Sequence, residues 1–122
     1  HVSILSGDRS GHLRAVARQV GVAEARGGCL PQDKAQLVRD LGARGGVVMV
    51  GDESNDAPAL AAASVGISVG TSGLASQSAD VVVAQHPSAA LERVVHLIVL
   101  SRAVLATARR GVRCGLGLSA VQ

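Results

Sequence analysis

Short apolar runs alternate along this chain with stretches of helical periodicity, and polar, glycine-containing clusters stand directly behind several of the runs. This alternation restricts the fold more than any other feature. A strand buried on both faces reads as a continuous apolar run, and two parallel strands need a crossover, usually a helix, between them. Runs at residues 2–5, 22–25, 47–50, 65–69 and 80–84 are the expected strands. Between them, residues 12–20 place Leu13, Val16, Ala17 and Val20 on one helical face before Gly21. A second helix starts at Pro31, with Ala35, Leu37, Val38 and Leu41 inward and Gly42 near its end. An Ala-rich helix over 57–63 tolerates Pro58 in its first turn, and a shorter helix is expected near 74–78. From Ser88 a long helix carries Leu91, Val94, Val95 and Ile98 on one stripe and continues towards Ala108. Residues 111–122 are Gly-rich and apolar, contain Arg113, and stop short of the length that crosses a bilayer.

A chain of 122 residues suits one domain, and 48% hydrophobic residues place it in the globular range. The absence of Phe, Tyr and Trp means a core of Val, Leu, Ile and Ala, and weighs against single-stranded nucleic-acid modules, which stack bases on aromatic rings. The net charge of +3 is uneven: no acid follows Glu92, whereas Arg93, Arg102, Arg109, Arg110 and Arg113 do. With an apolar stretch alongside and no nucleic-acid motif, these arginines read as the cytoplasmic flank of a membrane. Cys29 and Cys114 stand apart, without the paired spacing of a zinc or redox motif, and fit a reducing compartment. His1, His12, His86 and His96 show no ligand-like pairing and read as structural or surface groups. The chain opens on His1 and a strand-like run, without a signal-peptide pattern, and reads as an excerpt of something longer.

Three polar clusters lie in the loops and helix starts behind expected strands, where open parallel sheets form their ligand crevice. They are Ser6-Gly7-Asp8, Lys34 within Pro31-Gln32-Asp33-Lys34, and the run from Gly51 to Leu60 that begins Gly51-Asp52-Glu53-Ser54-Asn55-Asp56. Together they offer a hydroxyl donor, a point cation and two carboxylates four residues apart. That set suits phosphoryl transfer, in which a protein chiefly positions an anion and neutralises its charge. Ser6 and the Gly7 amide can donate to phosphoryl oxygens, Lys34 can balance their charge, Asn55 can orient the phosphate or a water, and Asp52 with Asp56 offers hard oxygens to Mg²⁺. Taken singly, each cluster is ordinary turn or surface chemistry.

In order, Ser-Gly-Asp, Pro-x-Asp-Lys and Gly-Asp-x-x-Asn-Asp-Ala-Pro-Ala-Leu resemble the C-terminal part of the phosphorylation domain of P-type ATPases, a branch of the haloacid-dehalogenase superfamily, in the heavy-metal-transporting flavour. The resemblance continues through residues 63–70, Ala79-Asp80-Val81-Val82-Val83 and Leu100-Ser101-Arg102, nearly the whole chain. It implies a Rossmann-like three-layer α/β fold with a parallel sheet, incomplete here. Residues 1–87 would be the phosphorylation-domain part and 88–122 a stalk helix leading to the start of a membrane helix. It further implies that Ser6 contacts phosphate, in the place of the family's usual Thr, and that Gly7, Asp8 and Arg9 lie by the nucleotide and the hinge. Lys34 would hold the aspartyl phosphate, Asp52 would ligate Mg²⁺, and Asn55 and Asp56 would complete the site. ATP and a transported metal cation would be the parent enzyme's substrates, at the cytoplasmic face of a membrane.

The departures are Glu53-Ser54 in place of Gly and a small or apolar residue, Ser64 in place of Asp, and Ser72-Gly73-Leu74 in place of a Gly-Thr-Asp type loop. The family's nucleophile, the Asp of Asp-Lys-Thr-Gly-Thr, is absent from this sequence, so the chain alone is expected to form no aspartyl phosphate. Two other readings fit the same residues. One is part of a soluble phosphatase of the same superfamily; the other is a non-catalytic remnant that still binds Mg²⁺ or phosphate.

Overall fold

The structure, a computed structural model, describes residues 1–9, 11–71, 73–84 and 87–120; Ser10, Ser72, Gln85, His86, Val121 and Gln122 lie outside the described residues, and with them the readings placed on Ser72 and His86. Two compact units make up the chain, residues 1–84 and 85–122.

In the first unit the apolar runs pair in parallel. β1 (Ser3–Leu5) lies against β2 (Glu24–Arg26), with Ser3 opposite Glu24 and Leu5 opposite Arg26. β3 (Val48–Gly51), β4 (Val65–Val69) and β5 (Val81–Val83) form a second sheet in that order, with Gly51 opposite Ser68 and Ser68 opposite Val82. The connections are helical: α1 (His12–Val20), α2 (Pro31–Gly42), α3 (Ala57–Ala62) and α4 (Gly73–Ser78). These are the open parallel sheets and crossover helices of an α/β fold. The parallel sheet is nevertheless divided, two strands in one part and three in the other.

β2 starts two residues later than the apolar run that suggests it. The cause is the end of α1, where Gly21 adopts a left-handed conformation (φ 75°) and the Val22 amide donates to the Ala17 carbonyl at 2.8 Å. Val22 is thereby committed to closing the helix, a hydrogen bond that only the turn back from an αL residue allows. Strand pairing begins at Glu24.

α2 begins where its sequence says it should. Pro31 occupies the first turn, where a missing N–H costs nothing, and the Asp33 carboxylate accepts the Leu30 amide at 3.0 Å. α2 and α3 pack on each other through small side chains. Ala35, Val38, Ala57, Ala59 and Leu60 are all buried, and Leu60 and Val38 rank among the largest fully buried side chains. A core without aromatic rings is thus closed by bringing helices near rather than by filling space with large groups.

The second unit is α5 (Pro87–Ser119), a single helix of 33 residues, about 50 Å long at 1.5 Å per residue. It runs through Gly111, Gly115 and Gly117, the Gly-rich last part of the expected helix. Ser101 and Thr107 turn their hydroxyls back on the Ile98 and Ala103 carbonyls at 2.8 and 3.0 Å, which satisfies them without leaving the helix. Among the described residues no helix is long and apolar enough to cross a membrane.

Candidate active site

The C-terminal end of β3 runs directly into Gly51, Asp52 and a short 3-10 turn at Ser54–Asp56, which hands over to α3. This tight reversal is possible because residue 51 has no side chain. A Cβ there would stand 2.7 Å from Asp56 Cβ and 2.8 Å from Asp56 Oδ2, so the Asp56 side chain occupies the space above Gly51. Folded back in this way, Asp56 is 6% exposed.

Lys34 reaches the same place from the first turn of α2. Its Nζ donates to Asp56 Oδ1 at 2.8 Å, and both side chains are buried, across a separation of 22 residues. Two charges withdrawn from water this far persist only as a pair, and loss of either partner strands the other. The sequence offers these two residues in different clusters; the structure joins them.

The remaining candidates divide into two groups. Asp52, Glu53 and Asn55 are exposed. Asn55 Nδ2 lies 3.5 Å from Glu53 Oε2, at the limit of a hydrogen bond, and Asp52 makes no hydrogen bond or ion pair among the described residues. Ser6, Gly7, Asp8 and Arg9 follow β1 and are joined instead to the loop after β2. The Ser6 amide donates to the Arg26 carbonyl at 2.9 Å, the Cys29 amide to the Ser6 carbonyl at 3.0 Å, and the Gly28 amide to the Asp8 carbonyl at 2.9 Å. The Ser6 hydroxyl oxygen accepts the Asp8 amide at 3.1 Å. That arrangement uses a lone pair and leaves the hydroxyl hydrogen for an outside acceptor. A cleft lined by Asp8, Arg9, Arg14, Arg26, Cys29 and Asp33, among others, opens beside this loop.

The turn after β3 carries two carboxylates, the exposed Asp52 and the buried Asp56, whose hard oxygens are of the kind Mg²⁺ takes. Mg²⁺ takes one or two carboxylates and keeps several waters, and here an exposed carboxylate, Asp52, stands four residues from Asp56. Among the described residues no group of three or more His, Cys, Asp or Glu side chains converges.

Three residues have positions in the structure to which the sequence assigns no role. Asp80, at the start of β5, accepts the Gly66 amide at 2.8 Å while its own amide donates to the Gly66 carbonyl at 2.9 Å, which ties the β4 and β5 ends together. Ser64, where the P-type pattern has Asp, accepts the Val47 amide at 3.0 Å and so anchors the entry to β3. Ser68 is 1% exposed, and its hydroxyl has no hydrogen-bond partner among the described residues. A polar residue inside an otherwise apolar strand is the signal that could have drawn attention to it.

Known proteins resemble this chain in sequence and in fold. The family described as "haloacid dehalogenase-like hydrolase" matches residues 1–64. The manganese-exporting P-type ATPase of Mycobacterium leprae is 48% identical over 86 residues, which covers 68% of this chain and 12% of that protein. The zinc/cadmium/lead-transporting P-type ATPase of Escherichia coli is 36% identical over 119 residues, 97% of this chain and 16% of that protein. A solved zinc-transporting PIB-type ATPase in the E2.Pi state superposes with a TM-score of 0.86 at 36% identity, over 98% of this chain and 19% of that one. The chain therefore spans less than a fifth of each of these three proteins.

Proposed function

Since the chain belongs to the haloacid dehalogenase-like hydrolase family, we propose that it is the C-terminal part of the phosphorylation domain of a heavy-metal-transporting P-type ATPase. It supplies the magnesium-binding and phosphate-stabilising half of an aspartyl-phosphate site. The observation that carries this reading is the buried Lys34–Asp56 pair, held between the start of α2 and the end of β3. An ammonium kept desolvated beside a carboxylate, in the turns behind the strands, supports a role in balancing the charge of a phosphoryl group.

Each residue has a task in this site. Ser6 donates its free hydroxyl hydrogen, and the Gly7 amide adds a second donor, to phosphoryl oxygens. Lys34 neutralises charge on the transferring group. Asp52 and Asp56 hold Mg²⁺, and Asn55 orients the phosphate or a water; a bound Mg²⁺ supplies charge neutralisation at the phosphate oxygens. Asp8 and Arg9 lie towards the nucleotide. The attacking carboxylate belongs to an Asp-Lys-Thr-Gly-Thr segment of the parent protein, ATP and a metal cation are the parent's substrates, and residues 88–122 form a stalk at the cytoplasmic face of the membrane. The relatives' printed activities and the basic, acid-free course of α5 after Glu92 support this placement.

Calorimetric titration with Mg²⁺ tests the site. The chain should bind the ion weakly, and Asp52→Ala should abolish the heat signal. Equal affinity in the two proteins would overturn the assignment.

A further inference from the structure

We propose that Ser68 is a positioning residue for Asp56, its hydroxyl acting as a second anchor for the carboxylate that Lys34 already holds. The starting point is a buried hydroxyl whose oxygen has no hydrogen-bond partner among the described residues. Buried polar groups are so rarely left unpaired that each such atom calls for a physical reason.

The register supplies one. Ser68 stands opposite Gly51, and paired residues on neighbouring parallel strands point to the same face, one strand spacing or about 4.8 Å apart. The space above Gly51 is filled by Asp56, whose Oδ2 lies 2.8 Å from the position a Cβ on Gly51 would take. Gly66 shares a face with Ser68, and a Cβ there would stand 2.6 Å from the Leu60 carbonyl oxygen, so this face looks onto α3. The Ser68 hydroxyl therefore opens into the layer that contains the Asp56 carboxylate; no direct hydrogen bond joins the two in this structure, and one bridging water or a turn of the Ser68 side chain would make the link. Lys34 engages Oδ1, and among the described residues no side chain or amide engages Oδ2, the oxygen turned towards the sheet.

A second anchor matters because the first is shared. When Lys34 turns to a bound anion, a second donor keeps the Asp56 carboxylate oriented before and after a metal ion is bound, and Ser68 offers that donor from inside the sheet. This consequence rests on the function proposed above; the contact itself does not.

A double-mutant cycle on the 122-residue chain, read by urea unfolding, tests the contact. Ser68→Ala should lower the folding equilibrium constant about tenfold in the wild-type background, the size of a hydrogen bond to a charged group. The loss should grow in Lys34→Met, where the carboxylate has the hydroxyl alone, and vanish in Asp56→Ala. An equal loss in all three backgrounds would show packing only and overturn the proposal. Should a background fail to fold, NMR of the wild-type chain decides instead. A slowly exchanging Ser68 hydroxyl proton close in space to Asp56 supports the anchor, and a freely exchanging one overturns it. Failure of the Mg²⁺ titration with an intact cycle would remove the metal reading alone, so the two failures are distinguishable.

Discussion

Asp56 can fold back over the end of β3 because Gly51 leaves the space beneath it empty. A methyl group at that position would meet Asp56 Cβ at 2.7 Å, well inside contact distance, and neither the strand nor the buried ion pair has room to yield. We expect Gly51→Ala to destabilise the chain by about 2–3 kcal/mol, as overpacking of a closed interior does, with a lower urea midpoint as the measurement. An unchanged midpoint would mean that Asp56 is not confined as described. At this scale the sequence was legible in type but not in pairing. Lys34, Asp52 and Asp56 announce themselves by their place behind strands, whereas nothing local says that Lys34 meets Asp56 rather than Asp52. Ser64 makes the same point. It departs from the P-type pattern, and only the structure shows that it accepts the Val47 amide.

Among the elements, α2 carries the most function per turn, since it presents Lys34 and is itself set by its cap. The Asp33 carboxylate accepts the Leu30 amide at 3.0 Å, and a single residue later Lys34 leaves the helix for Asp56. Asp33→Ala should cost about 1 kcal/mol, the usual worth of an N-terminal cap, measured as a lower thermal midpoint. A loss near zero would show that Pro31 alone fixes the start. Helix starts and stops of this kind are written locally, which explains why α1, α2 and α3 lie close to where periodicity and Gly or Pro signals put them. β2 does not, because closure of α1 through Gly21 and Val22 takes the first residues of the apolar run out of the strand. α5 continues through its glycines, since they lower helix propensity without forbidding the helix.

For the molecule as a whole, the division of the parallel sheet is the defining feature. Among the described residues β1 pairs with β2 alone and β3 with β4 alone, which leaves each with an unpaired edge of backbone donors and acceptors. Under the proposed function, a further parallel strand that pairs with one of these edges would carry the attacking aspartate. A synthetic peptide with an apolar run ending in Asp-Lys-Thr-Gly-Thr should therefore stabilise the chain, by about 2.7 kcal/mol at a free concentration about 100 times its dissociation constant. Thermal unfolding that responds equally to a scrambled peptide would rule this out. From the sequence by itself came the order of strands and helices, the small-residue core and the polar clusters behind the strands, because periodicity and capping are properties of neighbouring residues. Tertiary structure alone decided the split between two sheets, the Lys34–Asp56 pair and the unpartnered Ser68 hydroxyl. Those depend on strand register and on side chains meeting across long stretches of chain, where no local pattern selects the partner.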